Sequence, residues 1–397
     1  MNSVSTIIFL SGIKFGERDF ERFGIDLLKQ NKFHVEIWDI SRVIYSSRVE
    51  NVALPDEINA GEIRRFTTKK EVLAALDEHS SGTLFICLFE LNYRTFPVYR
   101  KLSRPGYSYA VLYINPFPIP LHYYSAGEKY AHYFKRITEI SPLHFVTTLV
   151  NKLLLRYSHT LGIRPATLCL LGGTKSIDFL NTSIDDNTKK VWMHSLDYDI
   201  YLQELEKPEE PKEELGVFIE AYFPSDPDRY YHEHTAVFNP DAKYYHDLRK
   251  FFSYLETTAY VRIVIAEHPK KHPDLNIADY GNREGICGQT AHLIRKSRLV
   301  LSHDSNAVNY AILFKKPIIF LTTRENDKTS NGQNIHAIAE RLGKQVLFID
   351  DPLDKDFKGE LSVDEKKYAA YIREYLKNSP ENIPSWQIFA DYVKKNL

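Results

Sequence analysis

Two stretches in the second half of the chain decide the fold: VRIVIAEHPK at 261–270 and GQTAHLIRKSRLVLSHDSNAVNYAILFKKPIIFLTT at 288–323. They contain three short apolar runs rich in β-branched residues, at 261–266, 299–302 and 317–322. Runs of this length and composition are typical of strands buried on both faces of a parallel sheet. The sequence therefore predicts three parallel strands in this part of the chain.

Polar residues follow each of the three runs. These residues are His268 and Pro269 after the first run, His303, Asp304, Ser305 and Asn306 after the second, and Thr323 after the third. Open α/β sheets bind ligands beyond the carboxyl ends of their strands. We therefore expect one ligand-binding rim, in which the strand ends at His268 and Ser305 lie side by side.

The segment after the middle run carries the most specific chemistry. A helix is predicted at 307–314, so Asp304, Ser305 or Asn306 can cap its first free N–H groups. The same N–H groups and the helix dipole attract phosphate, and the His268 imidazole can complete such an anion site. The alternative is that Asp304 and Ser305 only cap the helix and that His268 and Pro269 only end a strand.

A second helix is predicted at 288–295, with Thr290 near its start. Its first N–H groups are a further candidate for anion binding. The alternative for Thr290 is an ordinary helix-start residue.

Length and composition fit a globular protein of two domains. The chain has 397 residues, of which 43% are hydrophobic and 26% charged, and its net charge of −1 gives no overall basic field for nucleic acid. Cys87, Cys169 and Cys287 are widely spaced, so we expect them to be buried, reduced and inert. The first residues read as a strand rather than a signal peptide, and no apolar run is long enough for a membrane span. These features predict a cytoplasmic protein.

Strands and helices alternate on both sides of a charged, proline-bearing segment, EKPEEPKEE at 206–214. This segment is the best candidate for a linker. The predicted fold class is α/β, with two Rossmann-like doubly wound domains facing across a cleft. The predicted domains are 1–205 on the acceptor side, the linker 206–214, and 215–380 for the nucleotide donor. An amphipathic helix follows within 381–397.

Acidic residues follow a strand predicted at 190–193, in the sequence HSLDYD at 194–199. In an extended segment Asp197 and Asp199 point the same way, and two neighbouring carboxylates can raise one pKa and create a base. They can equally bind sugar hydroxyls or cap a helix at 200–205. Glu220 lies in an apolar strand, where an unpaired carboxylate is costly, so it is a second candidate for reaction chemistry. His194 belongs to the same candidate catalytic group.

Other motifs are weaker. Gly172, Gly173 and Thr174 follow a strand predicted at 166–171 but lack the complete phosphate-binding glycine patterns, so we interpret them as a tight turn and an acceptor-side loop. The sequence has no HExxH or CxxC. Asp197-Tyr198-Asp199 is formally a DxD triplet, but two-acid triplets are common by chance, so no metal site is predicted. The absence of GxSxG weighs against a hydrolase.

The HP pair after a strand, the serine-containing turn and the run FKKPIIFLTT together resemble the C-terminal half of GT-B glycosyltransferases of bacterial surface polysaccharide synthesis. The resemblance covers 220–323. The most similar sets are transferases of CMP-activated sialic acid, Kdo and pseudaminic acid, and bacterial CDP-glycerol-type polymer transferases share a similar pattern. In the CMP-dependent families the histidine and the serine-rich turn contact the nucleotide, which implicates His268, Pro269, Ser305 and Asn306. The turn here has one serine where those families usually have Ser-Ser or Ser-Thr.

The sequence and this resemblance together predict a metal-independent glycosyltransferase. It would move a CMP-activated nonulosonate or Kdo-type sugar to a glycan or lipid-linked glycan, with no further cofactor. The partners would not include nucleic acid, and the protein would associate peripherally with the cytoplasmic face of the inner membrane. The predicted nucleotide-binding residues are His268, Pro269, Thr290, His303, Asp304, Ser305 and Asn306, and the predicted catalytic residues are His194, Asp197, Asp199 and Glu220.

Three alternatives remain open at this point. The first is a polyol-phosphate transferase that uses CDP-glycerol or CDP-ribitol. The second is a nucleotide-sugar 2-epimerase, and the third is a non-catalytic nucleotide-binding subunit of a polysaccharide assembly.

Overall fold

The computed structural model describes residues 3–45, 61–79, 82–118, 142–180, 183–209, 211–221, 241–269, 279–352 and 357–397. Contacts divide the chain into two compact units. The first comprises Met1–Pro116, His122–Leu196 and Asn378–Leu397, and the second comprises Phe117–Leu121 and Asp197–Lys377. The division at Leu196 lies ahead of the segment 206–214, because the helix that begins there belongs by its contacts to the second unit.

The first unit contains a seven-stranded sheet whose paired strands are all parallel, in the order β3-β2-β1-β4-β5-β6-β7. Its strands are β1 (Thr6–Ser11), β2 (His34–Asp39), β3 (Ile63–Arg65), β4 (Thr83–Cys87), β5 (Ser108–Tyr113), β6 (Leu168–Leu171) and β7 (Lys189–Trp192). Alternate residues of β1 enter different cores: Ile8 and Leu10 pack on one face of the sheet, and Ile7 and Phe9 on the other. The sheet is therefore buried on both faces, as its continuous apolar strands predict.

Helices connect these strands. They are α1 (Glu17–Arg22), α2 (Ile25–Gln30), α3 (Ser41–Tyr45), α4 (Lys69–Glu78), α5 (Phe96–Leu102) and α6 (Pro142–Arg156), with a 3-10 helix at Thr174–Phe179. The sequence predicts one helix over 20–30, but the structure has two. Gly24 separates them with a φ of +57°, a left-handed conformation that glycine adopts without strain.

The last helix of the chain completes the first unit. Trp386, Phe389 and Val393 lie on its buried side and pack into the same core as Phe9. The Trp386 indole lies so close to Gly24 that a Cβ atom there would clash with it. The C-terminal segment is thus part of the first unit's core.

The second unit contains a six-stranded parallel sheet in the order β10-β9-β8-β11-β12-β13. Its strands are β8 (Leu215–Ile219), β9 (Arg262–Glu267), β10 (Gly285–Cys287), β11 (Leu299–Ser302), β12 (Ile318–Thr322) and β13 (Val346–Phe348). The three strands predicted first are β9, β11 and β12, and all three are confirmed. The short strand β10 was not predicted, since three residues in a polar segment give no periodicity.

The helices of the second unit cover both faces of its sheet. They are α7 (Leu196–Glu206), α8 (Ala242–Thr258), α9 (Thr290–Lys296), α10 (Val308–Leu313), α11 (Ser330–Leu342) and α12 (Glu365–Tyr371). A π-helix at Ile372–Leu376 follows α12. The C-terminal helix of the first unit is α13 (Ser385–Asn396). Helix α11 starts earlier than the predicted 334, because the Thr329 hydroxyl accepts a bond from the Gly332 N–H and caps it.

In both sheets the first strand lies in the interior. The next two strands are added on one side of it and the later strands on the other side, which is the order of a Rossmann-like doubly wound sheet. The reversal lies between β1 and β4 in the first unit and between β8 and β11 in the second. The fold class predicted from the sequence, two Rossmann-like α/β domains of the GT-B type, is confirmed.

The cysteines match their prediction only in part. Cys87 and Cys169 are buried, and burial raises the pKa of each thiol to about 12, so both stay protonated and inert. Cys287 is exposed, because β10, which it ends, is the outermost strand of its sheet.

Candidate functional site

The carboxyl ends of the second unit's strands form the best-supported site. A doubly wound sheet binds ligands where its strand order reverses, which here is between β8 and β11. Glu220 directly follows β8, and His303, Asp304 and Ser305 follow β11. Polar side chains therefore lie at the reversal between β8 and β11, the position that the topology of this unit favours for a ligand.

The expected side-by-side placement of the ends at His268 and Ser305 was wrong. Strand β8 lies between β9 and β11, so the two ends are separated by two strand spacings, about 10 Å. The reason is topological: β8 starts the unit and occupies the centre of the sheet. Glu220, at the end of β8, therefore stands between them.

Glu220 connects the ends of β8 and β9. Its side chain is 3% exposed, and its Oε2 accepts a bond from the backbone N–H of His268 at 3.0 Å. Its Oε1 accepts the hydroxyl of Tyr280 at 2.9 Å. Burial and then the Glu220 charge hold the pKa of Tyr280 well above its usual range, so the phenol remains a donor. The buried carboxylate is thus paired and fixes the strand end that carries His268.

His303 is buried beneath the site and is held by hydrogen bonds within the protein. The imidazole is 1% exposed; its Nδ1 lies 2.6 Å from the carbonyl oxygen of Leu321, and its Nε2 lies 2.7 Å from the hydroxyl of Tyr244. Because a carbonyl oxygen only accepts, Nδ1 carries the proton and Nε2 accepts from Tyr244. Burial lowers the His303 pKa to about 4, so the ring is neutral at pH 7. This geometry fits a packing role better than the predicted contact with a nucleotide.

Asp304 and Ser305 form the turn between β11 and α10. The Oδ2 of Asp304 accepts a bond from the side-chain amide of Asn334 at 2.9 Å, and burial raises the Asp304 pKa to about 6. The Ser305 hydroxyl accepts the backbone N–H of Ala307 at 3.3 Å. Ser305 is half-buried and Asn306 is exposed. The Ser305 hydroxyl thus bonds within the turn and does not cap α10, which has no side-chain cap, whereas Asp304 is held by α11.

Pro269 and Thr290 are both half-buried. Pro269 follows His268 after β9, and Thr290 is the first residue of α9, which follows the outermost strand β10. Thr290 thus lies at the end of the sheet away from β11.

The predicted carboxylate pair at 197–199 does not have the expected geometry. The sequence analysis placed Asp197 and Asp199 in an extended segment with both side chains on one side, but helix α7 begins at Leu196. Residues two apart in a helix point about 200° apart, so the two carboxylates face different ways. Both lie in the first turn of α7, where negative charge stabilises the helix dipole.

Asp197 has a clear structural partner set. It is 3% exposed and accepts bonds from the Asn309 amide at 2.8 Å and the Tyr310 hydroxyl at 3.3 Å, both on α10. Asp199 is 8% exposed on the same helix. Asp197 therefore ties α7 to α10 inside the second unit.

His194 is fully buried in the first unit. Its backbone N–H donates to the Ser385 hydroxyl at 3.1 Å, and that hydroxyl donates back to the His194 carbonyl oxygen at 3.3 Å. These bonds join the end of β7 to the start of α13. The position supports a packing role for His194.

The first unit has a small cavity at the carboxyl ends of β4 and β5. Its volume is about 220 Å³. Its lining is mostly apolar and comprises Phe23, Cys87, Leu88, Phe89, Glu90, Tyr99, Val111, Leu112, Tyr113, Ile114 and Leu196. Among these residues Glu90 is the one acidic side chain, and it is exposed. A cavity of this kind suits an apolar or partly apolar group.

Gly172, Gly173 and Thr174 form a tight turn after β6, as predicted. A Cβ atom on Gly172 would lie 2.2 Å from the carbonyl oxygen of Ile114, so only glycine fits there. The Gly172 N–H donates to the Ser176 hydroxyl at 3.0 Å, and Thr174 begins the 3-10 helix. Since Ile114 also lines the cavity, the turn supports that wall of it.

An open groove of about 930 Å³ lies elsewhere in the second unit, between α8 and the turn after β13. His246, Arg249 and Lys250 line one side, and Asp350 and Asp351 the other. Arg249 forms an ion pair with Asp279, and Arg324 forms one with Asp351. Two of the charged side chains of this groove are therefore already paired within the protein. The groove lies at the outermost strand, away from the reversal between β8 and β11, and we therefore favour the site around Glu220.

Sequence reasoning missed Tyr280 and Asn334. Each contacts a predicted site residue from a distant part of the chain, 60 positions from Glu220 in one case and 30 from Asp304 in the other. No local pattern marks either residue.

Within the residues that the structure describes, no group of three or more His, Cys, Asp or Glu side chains is arranged to hold a metal ion. Within the same residues, no helix has the length and apolar character that crossing a bilayer requires.

The chain is similar in structure to several solved proteins. It matches the wall teichoic acid polymerase TagF at 12% identity and a TM-score of 0.51, over 99% of this chain and 89% of that one. It matches UDP-GlcNAc 2-epimerase from Methanocaldococcus jannaschii at 12% identity and a TM-score of 0.47, over 98% and 99%. The match to the spinosyn forosaminyltransferase SpnP has 11% identity and a TM-score of 0.41, over 99% and 94%. The sequence matches no protein-family model and no curated protein sequence. At this identity the TagF match shows the GT-B fold alone.

Proposed function

We propose that this protein is a glycosyltransferase that moves a sugar from a nucleotide-activated donor to a growing surface glycan without a metal ion. The observation that carries the proposal is the polar group at the strand reversal of the second unit. There Glu220 holds the backbone of His268, and Asp304 and Ser305 follow the neighbouring strand. The GT-B fold, which the chain shares with TagF, supports an enzyme of this type.

In this proposal the donor phosphate lies at the carboxyl end of the second unit's sheet. His268 supplies a donating or cationic imidazole, and the turn at Ser305 and Asn306 supplies polar groups on the other side of Glu220. Glu220 is a positioning residue, because both of its oxygens already accept bonds from the protein.

Asp304 is the acid best suited to proton transfer. A general base works best when its pKa is near the working pH, and burial raises the pKa of Asp304 to about 6. Asn334 holds one carboxyl oxygen, which orients the other for an acceptor hydroxyl. Asp197 is less suited, since it is committed to Asn309 and Tyr310.

The finer proposal is a CMP-activated nonulosonate or Kdo-type donor and a glycan or lipid-linked glycan acceptor. It rests on the resemblance of His268-Pro269 and the serine-containing turn to CMP-dependent transferases. The acceptor would use the first unit, whose apolar cavity suits a partly apolar group. A second candidate, favoured by the fold similarity to a wall teichoic acid polymerase, is transfer of a polyol phosphate from a CDP-linked donor.

One experiment separates these reactions. Purified protein is incubated with CMP-, CDP- and UDP-linked donors, with and without a glycan acceptor and with and without EDTA, and the products are weighed by mass spectrometry. We expect an acceptor that gains a sugar without phosphate and a rate unaffected by EDTA. A product that gains a phosphate supports the second candidate, and a UDP-sugar that changes configuration without acceptor indicates an epimerase. Binding of a nucleotide with no product in any arm would overturn the assignment of transfer.

A further inference from the structure

Helix α6 carries an exposed apolar stripe that the proposed reaction does not use. Val146, Leu149, Val150 and Leu153 are 41–53% exposed, and Tyr157, which continues the helical winding by donating its N–H to the Leu153 carbonyl, is 50% exposed. Their spacing of three and four residues places all five on one side of the helix. Four aliphatic side chains and a tyrosine thus form one continuous apolar face toward solvent.

The other side of α6 is fixed to the first unit. Leu154 is buried in the core beneath, and Leu155 packs against the same core. The side-chain oxygen of Asn151 accepts the backbone N–H of Tyr93 at 2.9 Å. The helix therefore already has a buried face, and the exposed stripe is a second apolar face.

Positive charge flanks the stripe without any acid nearby in sequence. Lys152 and Arg156 are exposed on the solvent side of the helix, and no Asp or Glu occurs between Ile140 and Ile177. The whole chain is close to neutral, with 51 Lys and Arg against 52 Asp and Glu. The positive surface of α6 is therefore a local feature, not a consequence of overall composition.

We propose that this face of α6 binds the surface of an anionic lipid bilayer. The stripe would enter the boundary between headgroups and acyl chains, Tyr157 would lie at headgroup level, and Lys152 and Arg156 would contact anionic headgroups. A second copy of this chain fits less well. A symmetric contact through α6 would bury the same cations against each other without an acid from this segment.

Helix α6 is bonded to the loop that lines the cavity of the first unit. Asn151 is bonded to Tyr93, which lies in the loop after β4, and Glu90 of that loop lines the apolar cavity. A lipid-linked molecule held at the bilayer would thus arrive near the cavity of the first unit. Binding itself does not depend on turnover, so it is testable whatever reaction the protein performs.

The test is flotation of the full chain with vesicles of phosphatidylcholine, alone or mixed with phosphatidylglycerol. We expect flotation with the mixed vesicles. The exchange of Lys152 and Arg156 for Gln lowers it by about tenfold, because each surface cation adds to the attraction of an anionic leaflet. The variant L149S/L153S lowers it as strongly, while L205S, at a leucine that is also 50% exposed on α7, leaves it unchanged.

Circular dichroism and the melting temperature establish that each variant is folded. The Lys152 and Arg156 exchange keeps the test valid even where the leucine variant misfolds, since both cations are exposed. Failure of the folded wild type to float with either vesicle overturns the proposal. So does a wild-type dimer that L149S/L153S dissociates without any vesicle binding, since the stripe would then serve a second copy.

Discussion

The carboxyl ends of the two sheets differ in chemistry although their strand orders are the same through six strands. In the first unit, the ends of β4 and β5 surround an apolar cavity of about 220 Å³, and its one acid, Glu90, is exposed. In the second unit, Glu220, His268 and Asp304 follow β8, β9 and β11, and Glu220 is buried and bonded.

The comparison separates what the fold provides from what the residues provide. Topology favours ligand binding at the carboxyl ends of the strands in each unit, but the side chains there decide between an apolar group and an anion. In this account the second unit binds the nucleotide and the first unit binds a less polar molecule. The following substitutions test that difference.

The largest effect is expected for Glu220→Ala, compared with Glu90→Ala. Loss of Glu220 leaves the half-buried Tyr280 hydroxyl and the His268 N–H without their acceptor, which destabilises the protein by about 3 kcal/mol. Glu90→Ala changes the free energy of unfolding by less than about 0.5 kcal/mol, because its side chain is exposed. Urea unfolding measures both. Equal losses of stability in the two variants would contradict the difference between a hydrogen-bonded, buried Glu220 and an exposed Glu90.

A slightly smaller effect is expected for Gly172→Ala in the first unit. The added Cβ meets the carbonyl oxygen of Ile114, a residue of the cavity wall, so we expect a loss of about 2 kcal/mol. Gly61→Ala is the control, since a Cβ there meets nothing within 4 Å. Nucleotide affinity should stay at the wild-type value in the folded Gly172→Ala protein. A matching loss of nucleotide affinity would show that the first unit contributes to that site.

The smallest effect is expected for Asp304→Asn and depends on pH. Burial raises the folded-state pKa of Asp304 from 3.8 to about 6, so the folded state loses stability as the pH rises from about 4 to 6. Asparagine removes this loss and should stabilise the protein by about 1–2 kcal/mol at pH 8, allowing for partial exposure. Below about pH 4 the two proteins should be equally stable. A stability difference that stays constant from pH 4 to pH 8 would contradict the raised pKa.

The sequence predicted the strands and fold class well and the site only in part. Continuous apolar runs such as 299–302 indicate buried parallel strands because burial on both faces requires them. Sheet order is not local, so the insertion of β8 between β9 and β11, and with it the central position of Glu220, was not foreseen. Asp197 and Asp199 were misplaced because the helix was predicted to begin at 200, although Ser195 ahead of Leu196 and the two acids themselves are helix-start signals. Tyr280 and Asn334 reach the site from distant segments, which no periodicity reveals.

Calorimetric titration of nucleotides into wild type, His268→Ala and His246→Ala tests the central claim most directly. His268 lies at the end of β9 beside Glu220, and His246 lines the open groove at α8, the other candidate position for a nucleotide in the second unit. The account predicts that one nucleotide binds the wild type, that His268→Ala weakens it about tenfold through the loss of one charge-assisted contact, and that His246→Ala leaves it unchanged. Wild-type affinity in His268→Ala, with loss in His246→Ala, would contradict it and move the site to the groove.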